Sequence, residues 1–436
     1  MLPRIAAWEA LQAIGSGAYS EVGVERVFKK FNLTVTDKAL VTELVFGAVR
    51  QRQLLDSWID YLANLSSSKQ PPLLRWLLHI GLYQIFFMDR IPASAAVNTA
   101  VEIAKKKNLE QLAPVVNAVL RKAIRKRDKG ESLPSLTGNP ENILAQKYSL
   151  PEWLAKELIE WRGVNGAETL AKSFNARPAI DLRVNCIRAT VKDVQKILHS
   201  KGIESNEIKN CPYGLEISSG NGDMRTWPGY QEGFWSIQNR SAQLIAPLVD
   251  AKAGECILDV CAAPGGKTTH LAELMNDSGI LWAVDYSQKR LKRAEHNADR
   301  LGLKCIKYLS ADSTFLIDHM PVWKGFFHKI LIDAPCSGLG TLSRNPDLRW
   351  RMSPSKIKEL VALQSKLLDA ILPLLKSGGS IIYSTCTINP DENHQRIKMF
   401  LDKHSCLSLR REQQIWPENV GSGDGFYMAI LENQKK

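Results

Sequence analysis

Gly254-Glu-Cys-Ile-Leu-Asp-Val-Cys-Ala-Ala-Pro-Gly-Gly-Lys267 decides what kind of sheet this chain builds. Glu255 to Val260 is a short apolar run, the pattern of a buried strand. It stops at Ala-Ala-Pro-Gly-Gly, and Lys267-Thr-Thr-His-Leu-Ala-Glu-Leu-Met then reads as a helix. Strand, glycine turn and helix in that order put a tight loop at the carboxyl end of a strand, where open α/β sheets bind ligands. Paired glycines let the backbone approach a ligand, and the helix N-terminus behind them favours negative charge. A phosphate-binding P-loop fits poorly: its first glycine would fall on Cys261, and Pro264 has no N–H to offer a phosphate. A loop that accepts the amino-acid part of S-adenosylmethionine fits better.

Strand and helix alternate outward from this point. Strands are expected at 255–260, 280–284, 304–309, 328–332 and 380–384, with helices at 266–275, 287–301, 355–375 and 391–402, a doubly wound and mostly parallel sheet. Asp285 and Asp312 fall at the ends of the next two strands. A carboxylate suits a ribose diol at the first position, and at the second it can accept from an adenine amine. Asp259, inside its strand, is expected to brace the loop.

Upstream the pattern is different. Residues 1–128 read as helices, with Ile5, Trp8, Leu11 and Ile14 at helical spacing. Asp37 is a candidate N-cap for one long segment carrying Leu40 through Leu62, and Pro71-Pro72 opens the next helix. Lys129–Pro140, rich in Gly, Pro and Ser, marks a boundary. Glu141–Phe174 is helical, with breaks at Ser149-Leu-Pro and near Gly163. Strands at 180–184 and 215–217 with a helix at 191–200 make a small α+β module. The expected division is 1–130, 131–235 and 236–436.

The 436-residue chain carries 57 Lys and Arg against 45 Asp and Glu, net +12, and residues 1–130 hold 19 basic against 11 acidic side chains. Such a balance suits a polyanionic partner. Six basic residues between 121 and 129 close a predicted helix and are candidates for phosphate contacts. Arg344-Asn-Pro-Asp-Leu-Arg349-Trp350-Arg351 is expected near the site's mouth, its arginines gripping phosphate and Trp350 stacking on a base. The eight cysteines form no Cys-x-x-Cys pair, so neither a disulfide framework nor a zinc site is expected, and a reducing cytoplasm is. No apolar run reaches the roughly eighteen residues of a membrane span.

Asp333-Ala-Pro-Cys336-Ser-Gly-Leu-Gly follows the fourth strand, and Ser384-Thr-Cys386-Thr the fifth. Both thiols therefore belong at the rim that holds the cofactor loop. A thiolate there has a use: added to C6 of a pyrimidine, it makes C5 nucleophilic enough to attack an electrophilic methyl group. A carboxyl near N3 and the exocyclic amine would orient the ring. Spacing does not rank one cysteine above the other.

These motifs, with Asp259-Val-Cys-Ala-Ala-Pro-Gly-Gly-Lys-Thr and Asp424-Gly-Phe-Tyr, resemble those of the RNA cytosine-C5 methyltransferases, and the likeness runs over nearly the whole chain. The helical N-terminus is similar to the NusB family of RNA-binding domains. The resemblance implies a Rossmann-like class I methyltransferase domain behind a NusB-like bundle and an α+β module. It implies Cys386 as nucleophile, Cys336 as the aid to adduct breakdown, and Asp333 as the group holding cytosine close to the cofactor. It implies that Cys261, Ala262, Ala263, Pro264, Gly265, Gly266 and Lys267, with Asp285, Asp312 and Asp333, bind S-adenosyl-L-methionine, leaving S-adenosyl-L-homocysteine as product and needing no metal. The implied partner is small-subunit ribosomal RNA, with cytosine 967 as the target base, and the chain is expected to act as a monomer, away from membranes. Relatives usually carry an acidic residue where this chain has Asn239. The Asp/Asn-Pro-Pro-Tyr/Phe signature of amino-group methylation is replaced by Asp333-Ala-Pro-Cys. The rival expectations are the same chemistry on tRNA or another RNA, and a non-catalytic RNA-binding assembly factor.

Overall fold

The computed structural model describes residues 1–131, 133, 138–220, 222–419 and 423–434. They fall into two units, Met1–Asn175 with Asn345–Arg351, and Ala176–Arg344 with Met352–Lys436. The boundary expected at Lys129–Pro140 lies in part outside the described residues.

The first unit is helical. Its longer helices are Leu2–Gly15, Ser20–Lys30, Val35–Arg50, Arg52–Leu62, Pro72–Phe87, Ala93–Lys106, Ala113–Asp128, Pro140–Tyr148 and Glu152–Asn175. Trp8, Leu11, Val45, Leu55, Leu77 and Leu120 share one core, each such side chain contributing about 1.5–3 kcal/mol of transfer free energy. Two expectations need correction. Thr34, not Asp37, is the N-cap: its Oγ1 accepts from Asp37 N at 3.1 Å, and the Asp37 carboxylate accepts from Thr34 N at 3.4 Å, closing a capping box. The single long segment is two helices parted at Gln51. Ser149 Oγ accepts from Gln53 N at 2.9 Å, satisfying a donor that the new first turn leaves free. The breaks expected later are present, with Ser149 at φ 55° and Gly163 at φ 66°.

The basic helix end lines a cleft of about 390 Å³ formed by Tyr61, Leu62, Lys122, Arg125, Lys126, Lys129 and Glu131. Two of its cations are tied within the unit: Lys122 donates to Leu62 O, and Lys126 to Tyr61 Oη and the Glu131 carboxylate.

The second unit carries two sheets. Strands β1 (Ile180–Val184), β2 (Glu204–Glu207), β3 (Gly214–Ser219) and β4 (Trp235–Ile237) form an antiparallel sheet in the order β2-β3-β1-β4. The other sheet has β5 (Cys256–Val260), β6 (Ile280–Asp285), β7 (Ile306–Ser310), β8 (Phe327–Asp333), β9 (Leu375–Thr385), β10 (Leu407–Ile415) and β11 (Phe426–Asn433), ordered β10-β11-β9-β8-β5-β6-β7. From β9 to β7 the pairs are parallel, and β11 is antiparallel to both of its neighbours. All five predicted parallel strands form. The antiparallel pair β10 and β11 is not among the expected strands: Leu409 to Gln414 of β10 is largely polar and exposed, whereas the apolar run Phe426–Leu431 of β11 carries a buried-strand signal that went unread. Strand β1 also departs from simple alternation. Its Asp181 and Arg183 read as a solvent face but are 2% and 0% exposed.

Candidate active site

The cofactor loop is shaped by its backbone. Cys261 takes φ 67° and Gly265 φ 96°, the latter at the N-cap of helix Gly266–Leu274. A Cβ on Gly265 would stand 2.6 Å from Ala294 Cβ, so helix Gln288–Leu301 leaves room only for glycine. A Cβ on Gly266 would touch the Gln238 amide at 3.6 Å, an ordinary contact. Asp259, fully buried beneath the loop, accepts from Thr268 Oγ1 at 2.6 Å, and burial raises its carboxyl to about 7.

The other strand ends surround this loop. Asp285, at the end of β6, accepts from Ala263 N at 3.1 Å and from Ser287 N at 2.9 Å. Asp312, just past β7, caps a short 3-10 turn through Thr314 N at 2.9 Å and Thr314 Oγ1 at 2.7 Å, and these bonds lower its pKa. Asp333, ending β8, accepts from Lys267 Nζ at 2.6 Å and from Ser384 Oγ at 3.1 Å. Burial opposes the charge on Lys267, but Asp333 and the Cys386 thiol outweigh it and raise its pKa.

The two cysteines meet. Cys336, in the loop after β8, and Cys386, in the loop after β9, place their Sγ atoms 3.4 Å apart. Proximity to Cys386, followed by burial and the negative charges of Glu392 and Asp333, raises the Cys336 thiol. Backbone bonds fix both loops: Ala334 N donates to Ser384 O at 2.8 Å, Gly340 N to Cys386 O at 3.1 Å, and Gly425 N to Gly340 O at 2.8 Å. A Cβ on Gly340 would lie 2.0 Å from Gly425 O, so the Asp424-Gly-Phe-Tyr motif is a backbone neighbour of the cysteine loops.

Two contributors were missed. Arg183 on β1, wholly buried, donates to Gln238 Oε1 at 2.6 Å, Gly266 O at 2.7 Å, Thr269 Oγ1 at 3.0 Å and the Glu273 carboxylate at 2.7 Å. The antiparallel sheet thus grips the start of the cofactor helix. The available signal was an opposite-charge pair, Asp181 and Arg183, on one strand face. Glu392 is the second, 0% exposed. It accepts from Ser337 N at 2.8 Å, Ser337 Oγ at 2.5 Å and Gln364 Nε2 at 3.1 Å. Asn239 caps its own short helix by accepting from Ser241 N at 2.9 Å, and also accepts from Asp424 N at 3.4 Å.

The expected RNA grip at Arg344–Arg351 is overturned for its central residues. Arg349 is 0% exposed and donates to Ser149 O at 3.1 Å, Phe174 O at 3.1 Å and Asn175 Oδ1 at 2.9 Å. Trp350 Nε1 donates to Val49 O at 2.8 Å, and Arg351 to Gly17 O at 3.0 Å. Arg344 reaches Ala179 O at 3.0 Å and the Asp424 carboxylate at 3.4 Å. Fixed carbonyls at helix ends offer these guanidinium groups acceptors without a phosphate. Among the described residues no cluster of three or more His, Cys, Asp or Glu side chains could hold a metal, and no helix is long and apolar enough to cross a membrane.

Residues 246–432 match the family model for 16S rRNA methyltransferase RsmB/F, residues 1–125 the NusB family, and residues 150–222 the ferredoxin-like domain of RsmF/B-like methyltransferases. A probable ribosomal RNA small subunit methyltransferase B from Synechocystis is 42% identical, over 95% of this chain and 91% of its own. The Bacillus subtilis protein described in the same words is 34% identical, over 96% and 95%. The crystal structure of PH0851 aligns with a TM-score of 0.83 at 28% identity, over 99% of this chain and 98% of that one.

Proposed function

The chain belongs to the 16S rRNA methyltransferase RsmB/F family, and from that premise we propose that it methylates C5 of a cytosine in small-subunit rRNA through a bond between Cys386 Sγ and C6. Cytosine 967 is the base we assign. The observation that carries the reading is the pair of thiols 3.4 Å apart beside the Lys267–Asp333 ion pair. We assign residues 1–130 and 131–235 to RNA binding and 236–436 to catalysis. No step needs a metal, and the substrate places the protein in the cytoplasm.

The glycine loop at the carboxyl end of β5 and the carboxylates at three neighbouring strand ends fit S-adenosyl-L-methionine, which when bound supplies a methyl carbon made electrophilic by its sulfonium. Asp333 holds the cytosine by accepting from its exocyclic amine, with Lys267 and Ser384 fixing the carboxylate. Cys386 gives its proton to water and attacks as the thiolate. Its lone pair forms the S–C6 bond and pushes the C5=C6 electrons toward N3 and O2. C5 then takes the methyl carbon, and S-adenosyl-L-homocysteine is the product. Once Cys386 is bonded to carbon it no longer holds the Cys336 thiol in its protonated state. Cys336 can then lose its proton to water and take the proton from C5. The C5–H electrons re-form C5=C6, and the C6–S pair returns to Cys386.

The test is adduct trapping with unmethylated small-subunit rRNA and S-adenosyl-L-methionine. Wild type, Cys386→Ala and Cys336→Ala are compared on a denaturing gel, with methyl incorporation followed alongside. An RNA-linked band that accumulates in Cys336→Ala and is absent from Cys386→Ala is the expected result. The reverse pattern exchanges the thiol roles. Methyl transfer to tRNA but not rRNA overturns the substrate.

A further inference from the structure

Glu392 is the buried carboxylate that joins the two cysteine loops. Ser337, the residue after Cys336, gives it both a backbone N–H and a hydroxyl, at 2.8 and 2.5 Å. The same hydroxyl lies 2.7 Å from Thr387 Oγ1, the residue after Cys386. Gln364 completes the arrangement, donating through Nε2 to Glu392 at 3.1 Å and to Pro335 O, on the other side of Cys336, at 2.9 Å. Glu392 is itself anchored, since its backbone carbonyl accepts from Tyr383 Oη at 2.8 Å. Both residues flanking Cys336 are therefore held by one carboxylate and its amide partner. Among the described residues Glu392 has no cation in ion-pair contact, and burial raises its pKa. A buried carboxylate held only by neutral donors is costly to keep, and such groups persist where they fix a functional geometry.

The clamp acts on one cysteine more than the other. Cys386 follows directly from β9, whose register with β8 and β11 already sets its place. Cys336 sits three residues beyond β8, in a loop without regular structure. We propose that Glu392 is a positioning residue that holds Cys336 over the adduct on Cys386, governing release of the methylated base and not formation of the S–C6 bond. This rests on the cytosine-C5 reading above, and it adds to that reading a residue outside the cysteine and cofactor motifs.

The experiment uses the full chain with unmethylated small-subunit rRNA and S-adenosyl-L-methionine, comparing Glu392→Gln, Ser337→Ala and wild type. Glutamine keeps the size of the side chain but replaces one charged acceptor with a donor. Ser337→Ala removes the hydroxyl arm alone. Both are expected to form the RNA-linked band and to transfer methyl in a single turnover within about threefold of wild type. Steady-state kcat is expected to fall about tenfold in Glu392→Gln and less in Ser337→Ala, with KM for RNA falling in parallel so that kcat/KM stays near wild type, and with the linked band accumulating. A fall in single-turnover transfer that parallels the fall in kcat, or an unchanged kcat in both variants, overturns the proposal. If Glu392→Gln does not fold, Ser337→Ala decides on the same criteria. Failure of the underlying reading looks different, because wild type itself would then form no adduct and transfer no methyl to cytosine.

Discussion

Ala334–Gly340 and Asn345–Arg351 are nearly adjacent in the chain, yet they serve opposite ends. The first loop leaves β8 and brings Cys336 to within 3.4 Å of Cys386 Sγ. The second returns to the helical unit, where Arg349 is wholly buried and Trp350 bonds a helix carbonyl. Both stretches advertise function in their residue types. The difference is that the first loop starts from a strand end fixed by the sheet and is held beyond it by Glu392 and Gln364. An arginine or tryptophan has a long side chain that can turn toward solvent or toward any unpaired carbonyl. Composition says what a side chain can bind; only the neighbours say which of its partners it has found.

The sharpest way to break this contrast is Cys386→Ala, which should lower methyl transfer by about a thousandfold or more and abolish the RNA-linked band while leaving the melting temperature near wild type. Residual transfer within tenfold would remove the first loop from the chemistry. Arg349→Ala should do the converse. It strips several buried carbonyls of their donor and should cost about 2–4 kcal/mol, read by urea unfolding, with kcat of the folded fraction unchanged. Trp350→Phe deletes a single bond of the same segment, to Val49 O. A loss of about 1 kcal/mol is expected, against the release defect expected of Ser337→Ala, so one side-chain change in each segment should show in a different assay.

The last effect concerns pH. Asp259 lies beneath the loops, touches neither cysteine segment, and titrates near 7 when folded, above its unfolded value. The folded state therefore binds more protons between the two values. The contribution of Asp259 is most favourable below about pH 4 and declines as pH rises to about 7. Asp259→Asn should flatten the dependence of melting temperature on pH across that interval. An unchanged slope would show that the carboxyl is ionised throughout.

Much of this arrangement was legible beforehand. The five parallel strands, the glycine loop and the two strand-end cysteines follow from short apolar runs with turns behind them, and the breaks at Ser149 and Gly163 from local backbone preference. What stayed hidden depends on tertiary partners. The exposed, polar β10 gives no buried-strand pattern. Arg183 and Asp181 look like a solvent face until the cofactor helix covers them. Glu392 is one of two adjacent acids after Asn389-Pro, and nothing local says that Ser337, fifty-five residues earlier, donates to it. Thr34 took the cap from Asp37 because a capping box places the acid at the third helical position, not before the first.

Strand β11 lies between β9 and β10, and Gly425, just before it, bonds the loop that carries Cys336. During synthesis both cysteines and the whole cofactor loop leave the ribosome well before residue 425 does. A nascent chain therefore holds every group the chemistry calls for and still lacks the backbone that sets the cysteine loops in place. β11 is the last strand to emerge; it pairs with β9 and gives the edge strand β10 its one neighbour, so the sheet is completed last on the side next to the cysteine loops.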